Sequence, residues 1–218
     1  MPPFRKSVII ASVIVFSALA VMLTSLKAEV PFPLLPYLKF DFAEIPVMIT
    51  LFLFGPIPSL VAEVIHWIAL TVTHGWILGP LMKFLAVVPM IAGFWLGVII
   101  YKKLRSGKTH NIAILFVVGS IVGIVARVLV ASIANIVVFL IVAPEYLGYA
   151  GYMLGLVGIV TTSVFEVLLW TLLLTGVFNT LHVLLSSFVA VTILKGAIIR
   201  MPNLAERMWI LAKKRTTE

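Results

Sequence analysis

Seven apolar runs, at about 7–26, 44–54, 58–73, 79–101, 112–142, 152–175 and 177–199, dominate this chain and are separated only by short polar breaks. About 20 apolar residues in a helix cross the ~30 Å hydrocarbon of a bilayer. Inside hydrocarbon only helices and closed barrels satisfy every backbone donor and acceptor. Runs this long, without polar alternation, are not barrel strands. The chain therefore reads as an all-α membrane protein. A hydrophobic content of 62% with 11% charged residues leaves no soluble domain to place in the loops. Residues 1–218 read as one integral membrane domain. No small-residue cleavage site follows the first run, which reads as a retained helix.

Charge decides the number of crossings. Gly55-Pro56-Ile57-Pro58 divides two short runs, because proline lacks an amide donor and disfavours helix just before it. Counting 44–54 and 58–73 separately places Arg5 and Lys6 on the same side as Lys102, Lys103, Arg105 and Lys108, as the positive-inside rule requires. Arg200, Arg207, Lys213, Lys214 and Arg215 place the C-terminus there too. The expectation is a compact bundle of six transmembrane helices, both termini cytoplasmic in a cell membrane. An additional external hydrophobic segment covers about 152–175, with Glu166 and Trp170 at an interface. Residues 201–214 read as an amphipathic helix on the inner bilayer surface.

The net charge of +8 lies in clusters flanking apolar helices, where it sets orientation and binds no nucleic acid. The absence of cysteine excludes disulfides and thiolate chemistry. No Walker A sequence, Gly-x-Ser-x-Gly or His-Glu-x-x-His occurs, so neither an ATPase nor a protease is supported. His66 follows Glu63 by three residues, but two ligands are too few for a metal site. No metal or cofactor is expected, and no catalysis.

Polar residues nonetheless gather at one membrane depth. Six crossings put Asp41 and Glu44 before the second helix, His74 and Trp76 before the fourth, Asn135 late in the fifth, and Asn179 with His182 early in the last. Asn179 and His182, three apart, share a helix face. A pocket open to the outside follows, with Lys39, Phe40, Asp41, Glu44, Asn135, Asn179 and His182 as candidate substrate contacts. Of the two carboxylates, Asp41 is the better ligand contact and Glu44 the better helix cap. Glu63 and Arg127, inside the third and fifth helices, each need a partner, and each is available to the other. Phe32, Tyr37, Phe40 and Phe42 crowd a proline-rich external loop suited to gating a flat, partly apolar molecule. Small residues at Ser7, Ala11, Ser17, Ala18 and Ala20 permit close helix approach.

Leu38-Lys39-Phe40-Asp41-Phe42-Ala43-Glu44-Ile45-Pro46, followed by Leu51-Phe52-Leu53-Phe54-Gly55-Pro56, resembles the loop and second helix of the substrate-binding (S) subunits of energy-coupling-factor (ECF) transporters, especially the riboflavin-specific ones. Glu63, Asn135 and Phe178-Asn179-Thr180-Leu181-His182 agree in order. Two positions depart from it, since lysine commonly stands where this chain has His182 and His66. The resemblance implies a subunit that binds a vitamin with high affinity from outside, most naturally riboflavin. It also implies partnership with an ECF transmembrane coupling protein and two ATPase subunits in the lipid bilayer. Another vitamin or a nucleobase-like precursor is the alternative within that class. A structural six-helix membrane scaffold is the alternative outside it.

Overall fold

The computed structural model describes residues 4–105 and 111–211; Lys108, Lys213, Lys214 and Arg215 lie outside them, as does the side chain of His74. Helix α1 (Lys6–Ser25) leads into an antiparallel hairpin of β1 (Glu29–Phe32) and β2 (Leu35–Asp41). Helices α2 (Glu44–Phe54), α3 (Pro56–His74), α4 (Leu78–Leu104) and α5 (Ile112–Val137) follow. The last extends into a π-helical turn at Val138–Val142. Helices α6 (Glu145–Leu156) and α7 (Val164–Arg200) complete the fold. Among the described residues five helices are long and apolar enough to cross a membrane, and α2 is a shorter apolar one. The molecule is an all-α membrane bundle with a small hairpin at one end.

Helix α2 organises everything around it. Its 11 residues are about 16 Å long at 1.5 Å per residue, roughly half a bilayer core. Residues 44–53 are all buried, which protein walls rather than lipid make possible. Its neighbours are α1, α3, α4 and α7. Because α2 stops halfway, the space beyond its N-terminus is left for a cavity.

At the C-terminus of α2 the chain reverses through Gly55 at φ 96°, a conformation open to glycine and strained for other residues. The turn leaves the carbonyls of Phe52 and Leu53 without helical donors. The amides of Ile210 and Trp209 supply them, at 3.2 and 2.9 Å. The Trp209 ring lies against Gly55, Lys102 Nζ donates to the Trp209 carbonyl at 3.0 Å, and Met208 and Ile210 are fully buried. This corrects the expectation for 201–214: the described part, to 211, is a single 3-10 turn at Pro202–Leu204 followed by a strap that closes the bundle. Unpaired carbonyls at the end of α2 decide the matter, since a surface helix would leave them unmet. Arg207 sits over the Phe4 ring, which packs on Phe54. The basic residues Lys102 and Arg207 thus share one end with the start of α1 and the α2–α3 turn.

The last two apolar runs are divided differently from the expected 152–175 and 177–199. Residues 145–156 form α6, and 164–200 form one helix of 37 residues, about 55 Å long and so protruding well beyond the hydrocarbon. Ser163 is its N-cap, accepting from the Glu166 amide at 3.2 Å, while Glu166 Oε2 accepts from the Thr162 amide at 2.6 Å. Glu166 is therefore a capping-box residue.

Helices α4 and α5 approach most closely. A Cβ on Gly93 would lie 2.7 Å from Gly123 Cα, and the Phe94 ring occupies the space over Gly119 and Gly123. Gly93 and Gly97 face Gly119 and Gly123 in a paired small-residue pattern. In α1 only Ser17 and Ala20 of the small residues named above are buried.

Candidate functional site

A cavity of about 460 Å³ opens above the N-terminus of α2. Asp41, Glu44, Arg127, Asn179 and His182 form its floor, and Asn135, Lys39 and Lys83 line it with Tyr37, Trp76, Met82, Phe139, Tyr146, Tyr149 and Phe178. Aliphatic and aromatic walls with a few convergent polar groups are the usual composition of a small-molecule site.

The floor is built around Arg127. Its guanidinium donates to both oxygens of Glu44, Nη1 to Oε2 at 2.7 Å and Nη2 to Oε1 at 3.0 Å. Nε donates to Asn179 Oδ1 at 2.8 Å. Nη2 also approaches His182 Nδ1 at 3.2 Å. Arginine has no acceptor, so His182 Nδ1 accepts, and Nε2–H donates to the Asp41 carbonyl at 3.1 Å. That pattern assigns the neutral Nε2–H tautomer. His182 thereby ties the end of the hairpin to the centre of the bundle. Arg127 and Glu44 are both buried, and the pair joins α5 to α2 while Asn179 and His182 add α7.

The two carboxylates of the floor meet different partners. Glu44 is the buried partner of Arg127. Asp41 instead supplies the turn into α2, its Oδ1 accepting from the Ala43 amide at 3.0 Å, while Oδ2 pairs with Lys83 Nζ at 2.6 Å. Burial opposes ionisation of Asp41, but the Lys83 ammonium outweighs it and holds its carboxyl below the usual range. Glu63 and Arg127 do not meet. Glu63 faces His66, at 3.4 Å, and His66 Nε2 reaches Thr24 Oγ1 at 3.0 Å.

The other candidates fall into place around this floor. Asn135 Nδ2 donates to the Ala131 carbonyl at 2.8 Å, leaving its Oδ1 for the cavity. Lys39 pairs with Glu29 across the hairpin. Phe40 turns into an aromatic cluster, 4.8 Å from the Phe178 ring and 5.8 Å from Phe32, and so anchors the hairpin on α7. Ligand atoms of Asp41, Glu44 and His182 lie within 4.8 Å of one another. Lys83 and Arg127 already neutralise both carboxylates, so a cation would have to displace them.

Sequence reasoning missed Lys83 and the tyrosines of α6. Lys83 was detectable as a lone charge inside the run 79–101, where it requires a partner. Ser163-Val164-Phe165-Glu166 carried the capping-box signature that starts α7. Among the described residues the Tyr37 hydroxyl is enclosed and meets no hydrogen-bond partner, which costs about 1–3 kcal/mol. Burial, then the neighbouring Tyr149, pushes its pKa up, so it remains a donor.

No family model matches the chain. It is 31% identical over 125 residues to the riboflavin transporter RibU of Staphylococcus aureus (strain TCH60), an alignment covering 57% of this chain and 61% of that protein. It is 28% identical over 149 residues to the riboflavin transporter FmnP of Bacillus subtilis (strain 168), covering 65% and 68%. Its fold matches the S component of a bacterial ECF transporter with a TM-score of 0.64 and 21% identity, across 90% of this chain and 99% of that one. The chain therefore has the fold of an ECF transporter S component and resembles, in sequence, two riboflavin transporters.

Proposed function

We propose that this protein is the riboflavin-binding S subunit of an ECF-type importer, with ligand held in the cavity above α2 and reached from outside the cell. The cavity carries the reading. Its volume of about 460 Å³ falls within the roughly 300–1,000 Å³ usual for small-molecule sites. Its apolar walls suit a flavin ring, and Asn135 and Asn179 offer amide groups to the ring's polar edge and the ribityl hydroxyls. The floor pairs Arg127 with Glu44 and Lys83 with Asp41, which suits an uncharged ligand. Of the seven candidate contacts, Asn135, Asn179, Asp41 and Lys39 are the direct ones; Glu44, His182 and Phe40 shape the site.

In this reading the hairpin end faces outward, and the end carrying Lys102, Arg207 and the C-terminal strap faces the cytoplasm. Energy comes from an ECF coupling protein and two ATPase subunits. The test is a titration of purified protein with riboflavin, followed by quenching of flavin fluorescence. Saturable 1:1 binding, weakened by Asn135→Ala and by Asn179→Ala, supports the assignment. Absence of binding to riboflavin by the wild-type protein overturns it.

A further inference from the structure

Helix α7 is longer than a bilayer requires. Its 37 residues make about 55 Å, against about 30 Å of hydrocarbon. Tilting alone does not absorb the difference: at about 40°, the upper end of the usual range, such a helix still rises about 42 Å. Lys195 and Arg200 fix its C-terminal end at the water boundary, and no lysine or arginine stands between Arg127 and Lys195. The excess length therefore falls at the N-terminal end, at the level of the headgroups on the cavity side.

That end is not built for water. Phe165, Leu169, Leu173, Val177 and Leu181 are all exposed, and at a spacing of four they touch in turn. They form one winding stripe that runs unbroken from the first turn of α7 into the part at hydrocarbon depth. Helix α6 packs beside the same end, with Gly151 against Val167. It buries Leu147, Ala150 and Leu154 and turns Tyr152 and Leu156 outward, while Val160 in the connection is 85% exposed. The acidic residues here are Glu145 and Glu166, and Glu166 is engaged in the cap of α7. A contiguous exposed apolar surface marks a membrane or protein contact. Continuity with the stripe at hydrocarbon depth selects lipid, and Tyr152 and Trp170 are of the two residue types that concentrate at headgroup level.

We propose that α6, the connection 157–163 and the first turns of α7 form a membrane-surface anchor, seated in the headgroup layer of the leaflet at the cavity end, with Tyr152, Leu156, Val160, Phe165 and Trp170 against lipid. The 12 residues of α6 are about 18 Å long, too short to span, so this helix is a surface element. Lipid covers its outer face and α7 its inner one. The leaflet thereby helps to hold α6, whose Tyr146 and Tyr149 line the cavity, beside the mouth. The inference rests on the length and exposed face of α7, and it stands whether or not the cavity takes riboflavin.

The chain has no cysteine, so a single introduced one carries a probe without background. Tyr152→Cys, Phe165→Cys and, near the middle of the span formed by residues 112–142, the exposed Val125→Cys are each labelled with bimane and reconstituted in phosphatidylcholine vesicles. Quenching is read with a nitroxide on the lipid headgroup, with a nitroxide deep in the acyl chain and with iodide in the water. The labels at Tyr152 and Phe165 are quenched more by the headgroup nitroxide, at a depth of about 15–20 Å from the bilayer centre. The label at Val125 is quenched more by the chain nitroxide. Iodide quenches all three less than it quenches a bimane–cysteine conjugate free in buffer. Val160→Cys reports the same face should a helix site not tolerate the label, and unchanged melting of the labelled proteins shows the fold intact. Full iodide quenching at Tyr152 and Phe165 without response to either lipid puts the face in water and overturns the anchor. Stronger quenching there by the chain nitroxide puts the segment in hydrocarbon and overturns it too. Protection from all three quenchers, the mark of a second copy on this face, does the same.

Discussion

Replacing Arg127 by methionine tests whether the floor of the cavity is held together by one buried ion pair. The side chain is 2% exposed and its partner Glu44 is 0% exposed. Deleting the guanidinium strands an uncompensated carboxylate, and breaking one side of a buried pair typically costs about 3–5 kcal/mol. For a chain of this size that is a loss of about 6–20 °C in melting temperature, at roughly 2–4 °C per kcal/mol. Glu44→Met strands the guanidinium and should cost a similar amount. The double substitution removes both charges and leaves Asn179 and His182 short of a donor and Ser186 short of an acceptor, neutral groups whose loss costs less than a stranded charge. The cycle therefore predicts a coupling energy of about 3 kcal/mol or more. Denaturant unfolding in detergent micelles, followed by tryptophan fluorescence, reads all four proteins. A single Arg127→Met variant within about 1 kcal/mol of wild type, or a double variant whose cost equals the sum of the singles, refutes the reasoning.

Three further outcomes follow. Gly55→Ala puts a Cβ at φ 96° and 3.0 Å from the Trp209 ring; a loss of about 1–2 kcal/mol in the same unfolding assay is expected, together with faster proteolysis of the C-terminal strap. Gly93→Val drives a branched side chain into Val122 and Gly123 of α5, separating α4 from α5, and should lower the melting temperature more than Gly148→Ala, whose site has no neighbour within 4 Å. Asp41 has a lowered pKa in the folded protein, so its contribution is fully present above its unfolded value of about 3.9 and lost as pH falls through the folded value below it. Melting against pH should show that acid-limb loss in the wild type and a smaller one in Asp41→Asn; identical limbs would contradict the Lys83 pairing.

How far the site was legible depends on whether a residue's partner is near it in sequence. The class of fold came from run length and hydropathy alone, because lipid forbids unpaired backbone and leaves helices as the remedy. Asp41, Asn135, Asn179 and His182 were legible as polar groups at a common depth. The division of labour between Asp41 and Glu44 was not, since it depends on Arg127 and Lys83, which are 83 and 42 positions away from their carboxylates. The hairpin stayed hidden because its strands are short and broken by prolines, and its stability derives from Phe178 on α7.

The chain alone determined that this is a multi-pass membrane bundle with several polar residues inside its apolar runs. Local physics suffices for that, because the cost of exposing a charge or an unpaired amide to hydrocarbon is paid residue by residue. Only the tertiary structure decided that α2 stops halfway and leaves a cavity, that Arg127 pairs with Glu44, that α6 brings tyrosines over the mouth, and that the C-terminal strap closes α2. Each of these is a match between groups far apart in sequence, where several partners are chemically suitable and geometry selects one.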